Sequence, residues 1–97
     1  MSEKFLWDRV PVIGRTIISR NVGDKLNIIN FELSDFIFEI DGMTVQIWES
    51  IDGKKTFQQI LEGLKVKTHS QYHTRLEVDF QNFIAQLVEN QLISLSK

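Results

Sequence analysis

Residues 36–56 read FIFEIDGMTVQIWESIDGKKT. Two periodicities meet in this stretch. Over residues 36–40, Phe36, Phe38 and Ile40 alternate with Ile37 and Glu39, the two-residue period of a strand that buries one face. From Met43 the period lengthens. Met43, Ile47, Trp48 and Ile51 form one helical stripe, while Gln46 and Glu49 point away from it. Asp41 stands at the junction as an N-cap, with a side-chain oxygen for the first free amides. Asp52-Gly53 reads as the stop, the glycine suiting the left-handed position after the last turn. Upstream of the stretch the chain reads as strands, and downstream as helices.

Residues 15–22 read as a first strand, with β-branched Thr16, Ile17 and Ile18, and Asn21-Val22-Gly23-Asp24 supplies turn residues. Residues 25–31 read as a second strand, in which Leu26, Ile28, Ile29 and Phe31 interleave with Asn27 and Asn30. The two runs are spaced for a hairpin. Glu32-Leu33-Ser34-Asp35 turns the chain into the third strand, residues 36–40, and an antiparallel meander results. Thr56-Phe57-Gln58-Gln59 has capping-box spacing, and Phe57, Ile60, Leu61 and Leu64 follow as a helical stripe. Thr74-Arg75-Leu76-Glu77 has the same spacing ahead of Leu76, Phe80, Phe83, Ile84 and Leu87, the stripe of a third and longest helix. Leu92, Ile93 and Leu95 form a short extended tail packed on the core. Residues 1–14 read as a packing arm, with Phe5, Leu6 and Trp7 as a cap and Pro11 excluding a helix. The expectation is an α+β domain over residues 15–97 with winged helix-turn-helix character: a three-stranded antiparallel sheet followed by three helices.

The composition narrows the function classes. The chain has 97 residues, enough for one domain. It has no cysteine, which removes disulfides, thiolate metal sites and cysteine nucleophiles together. The net charge of −2 offers no attraction to a phosphate backbone. The third helix sets Arg75 against Glu77, Asp79 and Glu89, so a winged-helix reading of duplex DNA is not expected. No apolar run reaches membrane-spanning length, and the N-terminus lacks the core of a secretion signal. A cytoplasmic location is the expectation. His69 and His73 are four apart, but they lie in a polar segment without a third ligand and read as surface histidines. Asp41 and Asp52 serve as helix punctuation, and the five glycines make no phosphate-cradling loop. No nucleophile with a base, carboxylate pair or metal cluster emerges. The chain is therefore read as a non-enzyme with no cofactor and no metal.

An ordered set of residues resembles the PqqD-like family, the recognition element of ribosomally synthesised and modified peptides. The resemblance covers residues 15–93. It rests on Ile40-Asp41, Ile47-Trp48-Glu49, Ile51-Asp52-Gly53, Thr56 and Ile60-Leu61, and then on Asp79-Phe80, Phe83-Ile84, Leu87 and Leu92-Ile93. Thr44 departs from a position where the family favours a small residue, and Gln91 stands where glycine is common. The resemblance implies a leader-peptide chaperone. It would capture a precursor peptide as a strand beside the third strand and against the third helix, then present it to a modifying enzyme such as a radical SAM maturase.

The third strand of a meander is an edge with unpaired backbone groups, which suits that role. The expected peptide-binding residues are Asp35, Phe36, Ile37, Phe38, Glu39 and Ile40, acting mainly through the backbone. The third helix offers two flanks. One carries Val78, Asp79, Asn82 and Gln86 with Phe83 at its border; the other carries Glu77, Gln81 and Val88, bordered by Ile84. The first is chosen for the apolar contact of Val78 and Phe83 and for Asp79. No nucleic-acid or membrane partner is expected, and the exposed edge allows a monomer or a homodimer. The competing reading is a winged-helix adaptor or regulator without a peptide substrate.

Overall fold

The computed structural model describes residues 5–32 and 37–96. The elements run β1 (Val10–Ile13), β2 (Ile17–Val22), β3 (Lys25–Asn30), β4 (Ile37–Asp41), α1 (Met43–Glu49), α2 (Phe57–Val66), α3 (His73–Glu89) and β5 (Ile93–Ser96). A 3-10 turn, Ser70–Tyr72, leads into α3.

The expected meander is present, with strand order β2-β3-β4 and antiparallel pairing throughout. Val22 and Lys25 close the hairpin over Gly23-Asp24. Gly23 has φ 65, the positive value that the first central residue of a primed hairpin turn requires. Leu26, Ile28 and Ile40 are buried on the face that packs into the core with Ile47, Trp48, Phe57, Leu61, Phe80, Phe83 and Leu87. Phe57 and Phe80 meet edge to face with centroids 6.2 Å apart, an arrangement that suits the opposed charge of ring face and ring edge.

The arm does more than cap this core. Residues 10–13 form β1, which pairs antiparallel with β5 from Val10↔Ser96 to Ile13↔Ile93. The segments read separately as an arm and a tail are thus two halves of one ladder. Neither four-residue run carries its partner nearby in sequence. Phe5 packs on Trp7 and Phe57, and Trp7 stacks on Phe80 at 5.8 Å. The arm also completes the start of α2. The N–H of Phe57 donates to the Arg9 carbonyl and that of Gln58 to the Trp7 carbonyl, each at 3.0 Å. Gln59 N–H donates to Thr56 Oγ1 at 3.2 Å, and Thr56 N–H donates to Gln59 Oε1 at 2.9 Å. The predicted capping box is therefore formed, and these first-turn amides of α2 all have acceptors.

Three expected helix signals act differently. Asp41 is the last residue of β4 rather than the cap of α1; the cap position is Gly42, at φ 62. The left-handed glycine lets the chain reverse at once from strand to helix, leaving no room for Asp41 to cap. α1 stops at Glu49, before Asp52-Gly53. Asp52 Oδ1 instead accepts the N–H groups of Lys54 and Lys55 at 2.9 and 3.0 Å, closing a turn in which Gly53 has φ 79. These amides hold the Asp52 carboxyl below its usual range. Thr74 lies inside α3, which already winds at His73 out of the 3-10 turn. Glu77 is free of capping duty and pairs with Lys65 at 2.7 Å, which raises the Lys65 ammonium above its ordinary range.

Candidate functional site

The phase of the sheet decides which backbone groups of β4 are available. A two-residue turn requires its flanking pair, Val22 and Lys25, to exchange hydrogen bonds. Antiparallel pairs alternate from there, so Arg20–Asn27 and Ile18–Ile29 are also bonded pairs. The Phe31 N–H to Thr16 carbonyl bond at 3.0 Å continues the series. Lys25, Asn27 and Ile29 thus direct their backbone groups to β2, while Leu26 and Ile28 direct theirs to Ile40 and Phe38 of β4. By the same alternation, the N–H and C=O groups of Ile37 and Glu39 point away from β3. No described strand pairs with that side of β4.

The side chains of β4 divide the other way. Ile40 is buried and Phe38 half-buried on the helix side. The Phe38 ring stacks on Phe83 of α3 at 6.4 Å. Ile37 and Glu39 are exposed on the opposite face, where Lys25 Nζ lies 3.8 Å from Glu39 Oε2. Asp35 and Phe36 lie outside the described residues.

A cleft of about 280 Å³ opens between the end of β4, α1 and α3. Asp79, Asn82, Phe83 and Gln86 of the chosen flank line it, together with Asp41, Met43, Thr44 and Ile47. The helix spacing of three and four places the polar side chains of that flank on one ridge beside Phe83. Asp79 accepts a hydrogen bond from Arg75 Nε at 3.3 Å at the exposed end of this ridge. Val78 is exposed and outside the cleft lining. The sequence reading did not include Asp41, Met43, Thr44 and Ile47, because it assigned Asp41 to a cap and Met43 and Ile47 to a core stripe, and noted Thr44 only as a departure from the family pattern. Only the reversal at Gly42 swings α1 against α3 and turns its first residues toward the cleft. Thr44 Oγ1 donates to the Asp41 carbonyl at 2.6 Å and ties strand end to helix start.

A second cleft, about 640 Å³, lies on the other side of α3. Phe5, Leu6, Gln81, Val88 and Leu95 contribute to its walls. It is larger but adjoins the arm rather than the open edge of β4. Of the two histidines, His69 is exposed. His73 Nε2 lies 3.0 Å from the Lys65 carbonyl and 2.9 Å from the Thr68 carbonyl. Both are acceptors, so Nε2 carries a proton and ties the end of α2 to the start of α3. Among the described residues no group of three His, Cys, Asp or Glu side chains is placed to hold a metal ion. Among them, too, no helix is long and apolar enough to cross a membrane.

No curated protein matches this chain. A solved structure described as TbiB1 in complex with the TbiA(beta) leader peptide is similar in fold. Its TM-score is 0.71 at 17% identity, covering 86% of this chain and 94% of that one. The family model for coenzyme PQQ synthesis protein D (PqqD) matches residues 29–93, which span β4, all three helices and the start of β5. Over this majority of its length the chain carries the family pattern, and it belongs to the PqqD family.

Proposed function

We propose that this chain is a non-catalytic leader-peptide-binding chaperone of ribosomally synthesised and modified peptides. A precursor leader adds as a strand to β4 and is then presented to a modifying enzyme, such as a radical SAM maturase. The observation that carries this reading is the outward phase of the Ile37 and Glu39 backbone beside a cleft. An extended peptide satisfies those groups and sends alternate side chains over Phe38 and Phe83 toward Asp79, Asn82 and Gln86. Phe38 and Ile40 contribute side chains to the core and backbone groups to β3. Asp35 and Phe36, expected peptide contacts from the sequence, lie outside the described residues, and Val78 flanks the helix side. TbiB1, of the same fold, was solved with a leader peptide, and family membership points the same way. A cytoplasmic location and a monomeric or homodimeric state belong to the same reading.

The test is a titration of the purified protein with the labelled leader of a precursor peptide encoded beside its gene. Saturable binding at about micromolar concentration is expected, the strength of modest peptide complexes. An absence of binding to every neighbouring leader favours the adaptor reading instead.

A further inference from the structure

The outer face of the meander carries rows that an added strand would lengthen. Ile18, Ile29 and Ile37 are register partners across β2, β3 and β4. Ile18 is 50% exposed and Ile37 58% exposed, so the row runs uncovered to the open edge. The neighbouring row is Arg20, Asn27 and Glu39, and the next is Val22, Lys25 and Asp41. Along the edge strand this face therefore reads apolar, acidic, acidic. Lys25 reaches Glu39 from β3, with Nζ 3.8 Å from Oε2, and the Glu39 side chain stays 53% exposed at the open edge.

We propose, on the footing that β4 captures a leader strand, that this outer face helps to select the leader. The captured strand sets a β-branched or aromatic side chain beside Ile37 and a Lys or Arg beside Glu39. The two selected residues are separated by one position, because side chains on one face of a strand recur every second residue. The residue between them points to the opposite face, over Phe38 and Phe83. The apolar residue covers the exposed end of the isoleucine row, since direct cross-strand neighbours are in side-chain contact. The basic residue meets Glu39 on its open side, with Asp41 as a second carboxylate one row on. Their order reports the strand direction: apolar before basic for a strand parallel to β4, basic before apolar for an antiparallel one.

A phage-displayed library of random short peptides, selected on the purified protein, tests this. Parallel selections use Ile37→Ser, Glu39→Lys and Ile37→Pro. Both positions are exposed, and circular dichroism checks that each variant folds. Binders to the unaltered protein are expected to enrich an apolar and a basic residue with one residue between them. Glu39→Lys should exchange the basic preference for an acidic one, and Ile37→Ser should remove the apolar preference. With one fixed binder, reversing the basic residue should weaken binding roughly three- to fivefold, and Glu39→Lys should restore it. Binders that are lost in Ile37→Pro but lack the spaced pair, or keep it unchanged in Glu39→Lys, overturn outer-face selection and leave strand capture standing. An absence of binders, or binders indifferent to Ile37→Pro, overturns strand capture and this inference with it.

Discussion

Phe38 on the open strand and Phe83 on α3 lie nearly parallel, with ring centroids 6.4 Å apart and planes inclined by 24°. This contact joins the edge of the sheet to the helix ridge bearing Asp79, Asn82 and Gln86. Because Phe83 is buried, Phe83→Ala should cost about 3–5 kcal/mol. That is a large share of the roughly 5–15 kcal/mol that holds a domain together. Thermal unfolding by circular dichroism should show a weak or absent transition. Phe83→Leu keeps apolar contact and should remain folded. A fully stable Phe83→Ala protein would show that the pair does not anchor the edge.

Gln91 offers a gain instead of a loss. It follows α3 at φ 60, with its N–H donating to the Val88 carbonyl at 3.0 Å, while Leu92 N–H donates to the Leu87 carbonyl at 2.9 Å. This is the pair of hydrogen bonds of a Schellman ending, which favours glycine at the left-handed position. Gln91→Gly relieves backbone crowding but frees the unfolded chain, so the net gain should be about 0.5–1 kcal/mol. The midpoint of thermal unfolding should rise by a few degrees, and an unchanged or lower midpoint contradicts the assignment.

The turn after α1 has a pH signature. The amides of Lys55 and Lys54 hold the Asp52 carboxyl below its ordinary value of 3.8. A lowered folded value means that the contribution is complete above 3.8 and fades as the pH falls through the folded value. Asp52→Ala should therefore be less stable than the unaltered protein at neutral pH. Urea unfolding across the acid range should show that difference shrinking below 3.8, and a constant difference would remove the turn from the account.

Alternation along β4 makes adjacent proline substitutions behave differently. The Ile37 N–H faces outward, so Ile37→Pro removes no bond to β3 and should leave a folded protein that no longer captures a peptide. The Phe38 N–H serves Ile28, so Phe38→Pro should break the ladder and destabilise the domain. Circular dichroism with a binding titration separates the two. A destabilised Ile37→Pro beside a stable Phe38→Pro would mean that the phase is reversed.

Signals contained within one turn or one strand were legible in the sequence. Thr56 and Gln59 cap each other because both partners sit within three residues, and the alternation of Phe38, Glu39 and Ile40 gave the edge its faces. Pairing between distant segments was not legible: nothing in VPVI announces that ISLS will lie beside it. The start of α3 was displaced because Tyr72 N–H already bonds to the His69 carbonyl at 2.9 Å, winding the chain before Thr74 arrives. The α1 side of the cleft was hidden for a similar reason. Met43, Thr44 and Ile47 gain their position from the reversal at Gly42, a three-dimensional fact that helical periodicity alone does not carry.

Amide hydrogen exchange followed residue by residue by NMR, with and without a bound leader, tests strand addition most directly. In the free protein Phe38 and Ile40 should already be protected by β3, while Ile37 and Glu39 exchange quickly. Saturation with the leader should slow Ile37 and Glu39 selectively. Binding that leaves these two amides fast, and instead protects the cleft beside Phe5 and Val88 or an edge of β1 or β5, would contradict capture by β4.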